Sequence, residues 1–262
     1  MPTTKRKRSS TVDDIPPSTG GYVKGNPLGQ GFFGVVALFR KEGILFAGKK
    51  VRDDKMFQNE VAVMFAASSC PYVVQCRHVD YLAQVFVMDY CAGGDLFDLV
   101  LAKYGDLHKQ MRQIAMAVQS LQGQHIVHRD LKPENIFVQK NGDVLVGDFG
   151  LSILLDDKDD RMTNKNGTSA YQAPEIWDCD DYGRTVDLWS VGVLFFIMEM
   201  GNHPYDLEGT ASKSEVRRLI GTTAVPTTEN AALDEVVAGL TQRDPGKRWD
   251  LNRVLSAPFF SG

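Results

Sequence analysis

His128-Arg129-Asp130-Leu131-Lys132-Pro133-Glu134-Asn135 is followed a short way on by Asp148-Phe149-Gly150. The first stretch offers a carboxylate, an ammonium and an amide within six positions; the second offers another carboxylate. Phosphoryl transfer from a metal-bound nucleotide needs such a set. One group orients the attacking hydroxyl, a cation meets the moving phosphoryl group, and oxygen ligands hold hard magnesium ions. Eight specified residues at about one in twenty each give about 10⁻⁸ chance matches over a chain of this size, so the longer stretch carries weight by itself. Asp-Phe-Gly alone does not, because an aspartate in a loop is usually a turn former or a helix cap.

Position is what promotes the shorter motif. Two apolar runs, Ile136-Phe137-Val138 and Val144-Leu145-Val146, separate the stretches, and Asn141-Gly142-Asp143 between them is a strong turn signal. The spacing predicts a hairpin flanked by the loop around Asp130 and by Asp148.

Upstream, Leu28-Gly29-Gln30-Gly31-Phe32-Phe33-Gly34 carries G-x-G-x-x-G, whose glycines let backbone approach phosphate oxygens. After it come apolar Val35 to Phe39, charged Arg40-Lys41-Glu42-Gly43, and apolar Ile44 to Ala47. That is strand, turn, strand, which suits a hairpin over phosphates and not a dinucleotide fold. On the second strand Lys49 can reach phosphates; an exposed strand lysine is the alternative. Asp53 or Asp54 is expected to cap a helix whose apolar face carries Phe57, Val61, Met64 and Phe65. Glu60 sits at the edge of that face, either paired with Lys49 or partly exposed.

With 262 residues, 43% hydrophobic and 24% charged, the chain is globular and long enough for two lobes sharing a cleft. A net charge of −4 gives no whole-chain case for nucleic-acid binding. Cys70, Cys76, Cys91 and Cys179 form no metal or disulfide pattern, which points to reduced thiols inside a cell. The apolar stretch Val186 to Met200 is broken by Asp187, Ser190 and Gly192 and reads as a buried helix, not a membrane span. Residues 1–20, rich in Ser, Thr, Pro and charge, are expected to be a disordered tail. Its Lys5-Arg6-Lys7-Arg8 run has no apolar segment behind it, so the reading is cytoplasm or nucleus, with the run as an import signal or a solvated patch.

Together these motifs resemble the eukaryotic-type protein kinase family, with the likeness running from about Tyr22 to Phe260. The resemblance implies an α+β, two-lobed fold over residues 21–260. A small antiparallel β lobe with one helix would cover about 21–90 and a larger helical lobe about 91–260, with ATP and Mg²⁺ as cofactors. It implies that Leu28, Gly29, Gly31 and Gly34 cover the nucleotide and that Val36, Ala47 and Phe137 sandwich adenine. Met88 would precede a hinge of Asp89, Tyr90 and Cys91, and Asp95 would lie near the ribose. Asp130 would orient the substrate hydroxyl, Lys132 would neutralise the transferring group, Asn135 and Asp148 would hold magnesium, and Lys49 with Glu60 would hold the phosphates.

The same likeness makes Gly167-Thr168-Ser169-Ala170-Tyr171-Gln172-Ala173-Pro174-Glu175 the end of an activation segment. Asp187 would brace the catalytic loop, and Arg248 would pair with Glu175. Lys132 and Thr168 resemble the serine/threonine branch, so the partners expected are protein substrates with Ser or Thr acceptors, met by a monomer with no membrane and no nucleic acid. Glu134 and Asp95 suggest basic flanks on the substrate; Ile197 stands at a third position that is acidic in some relatives. Arg129 before Asp130 suggests control by a phosphate on Thr163; Asp156, Asp157, Asp159 and Asp160 read as a solvated acidic loop, with one of them standing in for that phosphate as the alternative. Only eleven positions separate Lys49 from Glu60, fewer than usual, so the loop before the helix must be short. The non-enzymatic alternative is a pseudokinase scaffold, which would normally lack one of Lys49, Asp130, Asn135 or Asp148.

Overall fold

Val35, Ala37 and Phe39 are fully buried while Val36 and Leu38 between them are only half-buried, the period of two that a strand imposes. They belong to a computed structural model that describes residues 11–31, 34–102, 105–157, 160–205, 207 and 212–261. The chain divides into two compact units, one running up to Phe65 with Gln75–Tyr90 added, the other comprising Ala66–Val74 with Cys91 onward.

In the first unit, strands β1 (Ser18–Thr19), β2 (Tyr22–Gln30), β3 (Val35–Lys41), β4 (Ile44–Lys50), β5 (Cys76–Asp80) and β6 (Val85–Asp89) form an antiparallel sheet in the order β1-β2-β3-β4-β6-β5. Gly43, at φ 80°, closes the tight turn from β3 to β4. Helix α1 (Asp54–Ala66) is capped by Asp53, whose Oδ1 accepts from the Lys55 and Met56 N–H groups, both at 3.1 Å. Its inner face is Phe57, Glu60, Val61, Val63 and Met64. Phe65, expected on that face, is 52% exposed, because Val63 and Met64 take the inward direction.

The tail expectation fails for its second half. Val12–Asp14 form a 3₁₀ turn, Ser18 and Thr19 pair with Val23 and Tyr22, and Ile15 is 1% exposed in a core with Tyr22, Phe39 and Val87. Thr19 Oγ1 donates to Asp80 Oδ2 at 2.9 Å, and Arg52 pairs with Asp14 at 2.6 Å. One isoleucine with an apolar recess to fill outweighs a Pro- and Ser-rich composition. The Lys5 to Arg8 run lies outside the described residues.

The second unit contains α2 (Leu96–Ala102), α3 (Leu107–Gly123), β7 (Ile126–Val127), β8 (Ile136–Val138), β9 (Val144–Val146), β10 (Ile153–Leu154) and α4 (Glu175–Asp178). It continues with α5 (Val186–Met200), α6 (Lys213–Thr222), α7 (Ala231–Leu240), α8 (Leu251–Leu255) and α9 (Pro258–Ser261). Strands β8 and β9 pair in the register Ile136↔Val146 to Val138↔Val144, and Gly142 sits at φ 83° in their turn. Helix α5 is buried from Val186 to Met198 and ends at Gly201 in the left-handed region. Among the described residues no helix is long and apolar enough to cross a membrane. Ala66–Val74 belong to this unit and not to the small lobe in which their place along the chain would put them. Val74 N–H donates to Val146 O at 2.9 Å, and Val146 N–H donates to Tyr72 O at 2.8 Å. The protein is α+β, with the antiparallel sheet and one helix in one unit and most of the helices in the other.

Candidate active site

The first unit contains many of the residues expected around a nucleotide's base and phosphates, while Cys91, Asp95 and Phe137 belong to the second. Across β4 and β6, Ala47 faces Met88 and Phe46 faces Asp89; across β3 and β4, Val36 faces Lys49. Asp89 is held by Arg77 at 2.6 Å and by the Gln75 N–H at 3.1 Å. Leu28 is exposed near the end of β2, and a side chain at Gly29 or Gly31 would meet nothing within 4 Å. Gly34 is obligatory, since a Cβ there would lie 2.1 Å from Lys50 O. Gly31 N–H donates to Gly34 O at 2.9 Å, which closes the turn; Phe32 and Phe33 lie outside the described residues.

Lys49 and Glu60 resolve the choice left open by the sequence. Lys49 Nζ lies 2.6 Å from Glu60 Oε1, and the two residues are 5% and 2% exposed. The exposed-lysine alternative is excluded, and the short spacing is absorbed by the Asp53-capped entry to α1. A pair this dry leaves one partner as a buried charge if the other is removed.

The second unit assembles the rest around Asp130. Asp187, at the start of α5, accepts the His128 N–H on Oδ2 at 2.7 Å and the Arg129 N–H on Oδ1 at 2.8 Å. Burial pushes the Asp187 carboxyl above the ordinary carboxylate range, against the pull of His128 and of those two N–H groups. The brace has strain to hold, because Arg129 stands at φ 67°. His128 Nδ1 accepts the Asp130 N–H at 3.3 Å, so its Nε2–H is the donor to Gly147 O at 3.0 Å. Gly147 N–H in turn donates to Asn135 O at 3.0 Å, which carries Asp148 alongside Asn135. Asp148 is itself left-handed, at φ 58°.

Around the Asp130 carboxylate, Asn135 Nδ2 donates to the backbone O at 2.8 Å and to Oδ2 at 3.2 Å, and Lys132 Nζ lies 3.3 Å from Oδ2. Thr168 gives both its N–H and its Oγ1–H to Asp130 Oδ1 at 2.8 Å, while Lys132 Nζ donates to Thr168 Oγ1 at 3.0 Å. Gly167 makes this approach possible. It has φ 114°, and a Cβ there would stand 2.5 Å from Arg129 O. The contact of Thr168 with Asp130 was not legible beforehand, since 38 positions separate them and only the Gly167 backbone brings them together.

The remaining expectations divide. Arg248 meets Glu175 through two bonds, at 2.7 and 3.1 Å, and also donates to Thr185 O and Gln242 O. Phe137 is half-buried in β8 and bridges to Asp95, and Cys91 is buried. Asp95 spends Oδ1 on the Asp98 N–H at 3.1 Å as a helix-entry cap. Glu134 is exposed, and Ile197 is buried in α5. Arg129 Nε donates to Leu151 O at 2.7 Å, and its buried Nη1 has no hydrogen-bond partner among the described residues. No described carboxylate pairs with it, Asp156, Asp157 and Asp160 included, and Asp159 lies outside the described residues; Thr163 is exposed.

As for a metal, the donor set fits magnesium in kind. With Asn135 Nδ2 turned to Asp130, its amide oxygen is the group left to coordinate, and Asp148 adds a carboxylate; both are hard oxygen donors.

Residues 22–260 match the model of the protein kinase domain. The probable myosin light chain kinase of Dictyostelium discoideum is 31% identical over 257 residues, which cover 92% of this chain and 82% of that protein. The SNF-related serine/threonine-protein kinase of Rattus norvegicus is 32% identical over 93% of this chain and 35% of its own length. A calcium/calmodulin-dependent protein kinase, cmkB of Emericella nidulans, is 29% identical over 92% and 65% respectively. The chain thus spans about a third of the rat relative and most of the Dictyostelium one. With the protein kinase domain model matching nearly its full length and serine/threonine kinases among its relatives, the chain belongs to the serine/threonine branch of the protein kinase family.

Proposed function

We propose that this protein transfers the γ-phosphoryl group of Mg-ATP to serine and threonine hydroxyls of protein substrates. The observation that carries the reading is the array around Asp130. A carboxylate has one oxygen toward Lys132 and Asn135 and the other on a threonine hydroxyl, which is the kind of group it would orient on a substrate. In a loose transition state, placing that hydroxyl matters more than the basicity of the carboxylate. Lys132 would follow the transferring group as charge moves onto it.

Asn135 and Asp148 would hold Mg²⁺, which when bound neutralises charge on the phosphate oxygens. Lys49, fixed by Glu60, would bind the α and β phosphates, while Val36, Ala47 and Met88 would receive the base. Exposed Glu134 supports a preference for basic residues beside the acceptor. The unpaired Nη1 of Arg129 supports a phosphate on Thr163 as its partner over a carboxylate already in the chain.

The test is transfer from radiolabelled ATP with magnesium to a degenerate peptide array offering Ser, Thr or Tyr. Label should enter Ser and Thr peptides. Asp148→Asn and Lys49→Met proteins should lose transfer while keeping the wild-type circular dichroism. Undiminished turnover in either variant, or label on Tyr peptides alone, would sink the assignment.

A further inference from the structure

Gly201, in the left-handed region, turns the chain out of α5 into Asn202-His203-Pro204-Tyr205. A proline at 204 biases His203 toward extended backbone, and Pro204 and Tyr205 are buried, so the loop is anchored where α5 ends. His203 lies between two aromatic rings. Tyr171 meets it edge-on with 5.4 Å between centroids, and Tyr205 lies 5.6 Å away at 49°. Those contacts fix the plane of the imidazole, and with it the direction of each ring nitrogen.

The partners settle where the proton sits. Nε2 lies 3.1 Å from the Ala170 carbonyl oxygen, which can only accept. Nδ1 lies 3.3 Å from the Tyr205 nitrogen, whose N–H can only donate, and 3.3 Å from the Tyr205 carbonyl oxygen. A neutral ring therefore carries its proton on Nε2 and accepts the Tyr205 N–H on Nδ1. A charged ring keeps the Nε2 proton and gives Nδ1–H to Tyr205 O. In both states Nε2–H donates to Ala170 O.

Ala170 is the middle residue of the 3₁₀ turn Ser169–Tyr171, which follows directly on Thr168. The next carbonyl, that of Tyr171, accepts from Ser190 Oγ of α5 at 2.8 Å. At its other end the turn is tied to Asp130 through the N–H and the hydroxyl of Thr168. Thr168 to Tyr171 are half-buried, so the turn keeps a face in solvent. Burial pushes the Tyr171 hydroxyl up, and the charges of Glu134 and Asp130 add to the effect, so that ring stands close to both carboxylates. An acceptor hydroxyl that reaches Asp130 arrives beside Thr168, and the residues flanking it pass along this turn. We propose that His203 is a positioning residue for protein substrates: its Nε2–H holds the Ala170 carbonyl and keeps the turn beside Thr168 in the shape that receives those flanking residues, a role that rests on the phosphoryl transfer proposed above.

The experiment compares steady-state transfer to a Ser peptide with basic flanks by the full chain as wild type, His203→Phe and His203→Gln. Phe keeps a ring between Tyr171 and Tyr205 and removes the donor; Gln loses the ring and keeps an N–H that can stand where Nε2–H does. His203→Phe is expected to raise the peptide KM about fivefold, the worth of one ordinary hydrogen bond, with kcat and the KM for ATP at their wild-type values, and His203→Gln to restore the peptide KM. Amide exchange over residues 168–172, followed by mass spectrometry without ATP, should quicken in His203→Phe and return in His203→Gln. A ring that merely fills space would give the reverse order, with Phe like wild type and Gln impaired. That order, a wild-type peptide KM in His203→Phe, or equal rises in KM for peptide and ATP would each overturn the proposal. His203→Leu takes the place of the Phe variant should the latter melt below wild type. Absence of transfer by the wild-type protein would instead fail the phosphoryl-transfer reading itself, and the role of His203 with it.

Discussion

Asp187 shows how much a single side chain can hold. Each of its oxygens takes one backbone N–H of the loop that bears Asp130, one of them from a residue in a strained conformation. In Asp187→Asn one oxygen remains, and an amide NH₂ is turned toward the other N–H, donor against donor. The expected cost is about 1–3 kcal/mol of stability, seen in urea denaturation, together with a fall in turnover that exceeds any change in the KM for ATP. Wild-type stability and turnover would show that the brace is dispensable. At this scale the letters of the catalytic loop could be read because each carries its chemistry with it. The contact of Thr168 with Asp130 could not, since it depends on a backbone angle at Gly167 and not on residue type.

The elements were legible wherever period and punctuation agreed. Asn141-Gly142-Asp143 marked a real turn, and Asp53 a real cap. The stretch before Tyr22 misled because composition averages over a window, and burial of Ile15 is a property of one position and its distant neighbours. The segment should therefore behave as part of the first unit. Replacing Ile15 by alanine is expected to cost about 2–5 kcal/mol, measured as a lower denaturation midpoint. A midpoint within error of wild type would return residues 12–19 to the status of a tail. Phe65 and Val63 exchanged places for a similar reason, since near the end of a helix a small change of direction decides which neighbour turns inward.

For the molecule as a whole, two lobes were an expectation from length and family likeness, and the membership of Ala66–Val74 in the second compact unit was not legible. Those residues are tied by hydrogen bonds to β9, far along the chain, and no local pattern announces that. Global stability should also depend on pH through His203. Burial holds its imidazole below the ordinary value, although the carbonyls of Tyr205 and Ala170 pull the other way. A base favoured in its neutral form when folded binds fewer protons than it does unfolded. Its contribution is complete above about pH 6.5 and is lost as pH falls from there through the depressed folded value. Denaturation midpoints followed downward from neutrality should drop more steeply in wild type than in His203→Gln; parallel curves would rule this group out.

The hydrogen bonds that Asp187 accepts carry a mechanical consequence. The loop holding Asp130 is fastened by its own backbone to the first turn of the long apolar helix α5, so there is no slack between them. A substitution deep in α5, such as at Val191 or Phe195, can tilt the helix without touching any polar group. The tilt would reach Asp130 as a rigid displacement, and a packing error far from the chemistry would register as a loss of aim.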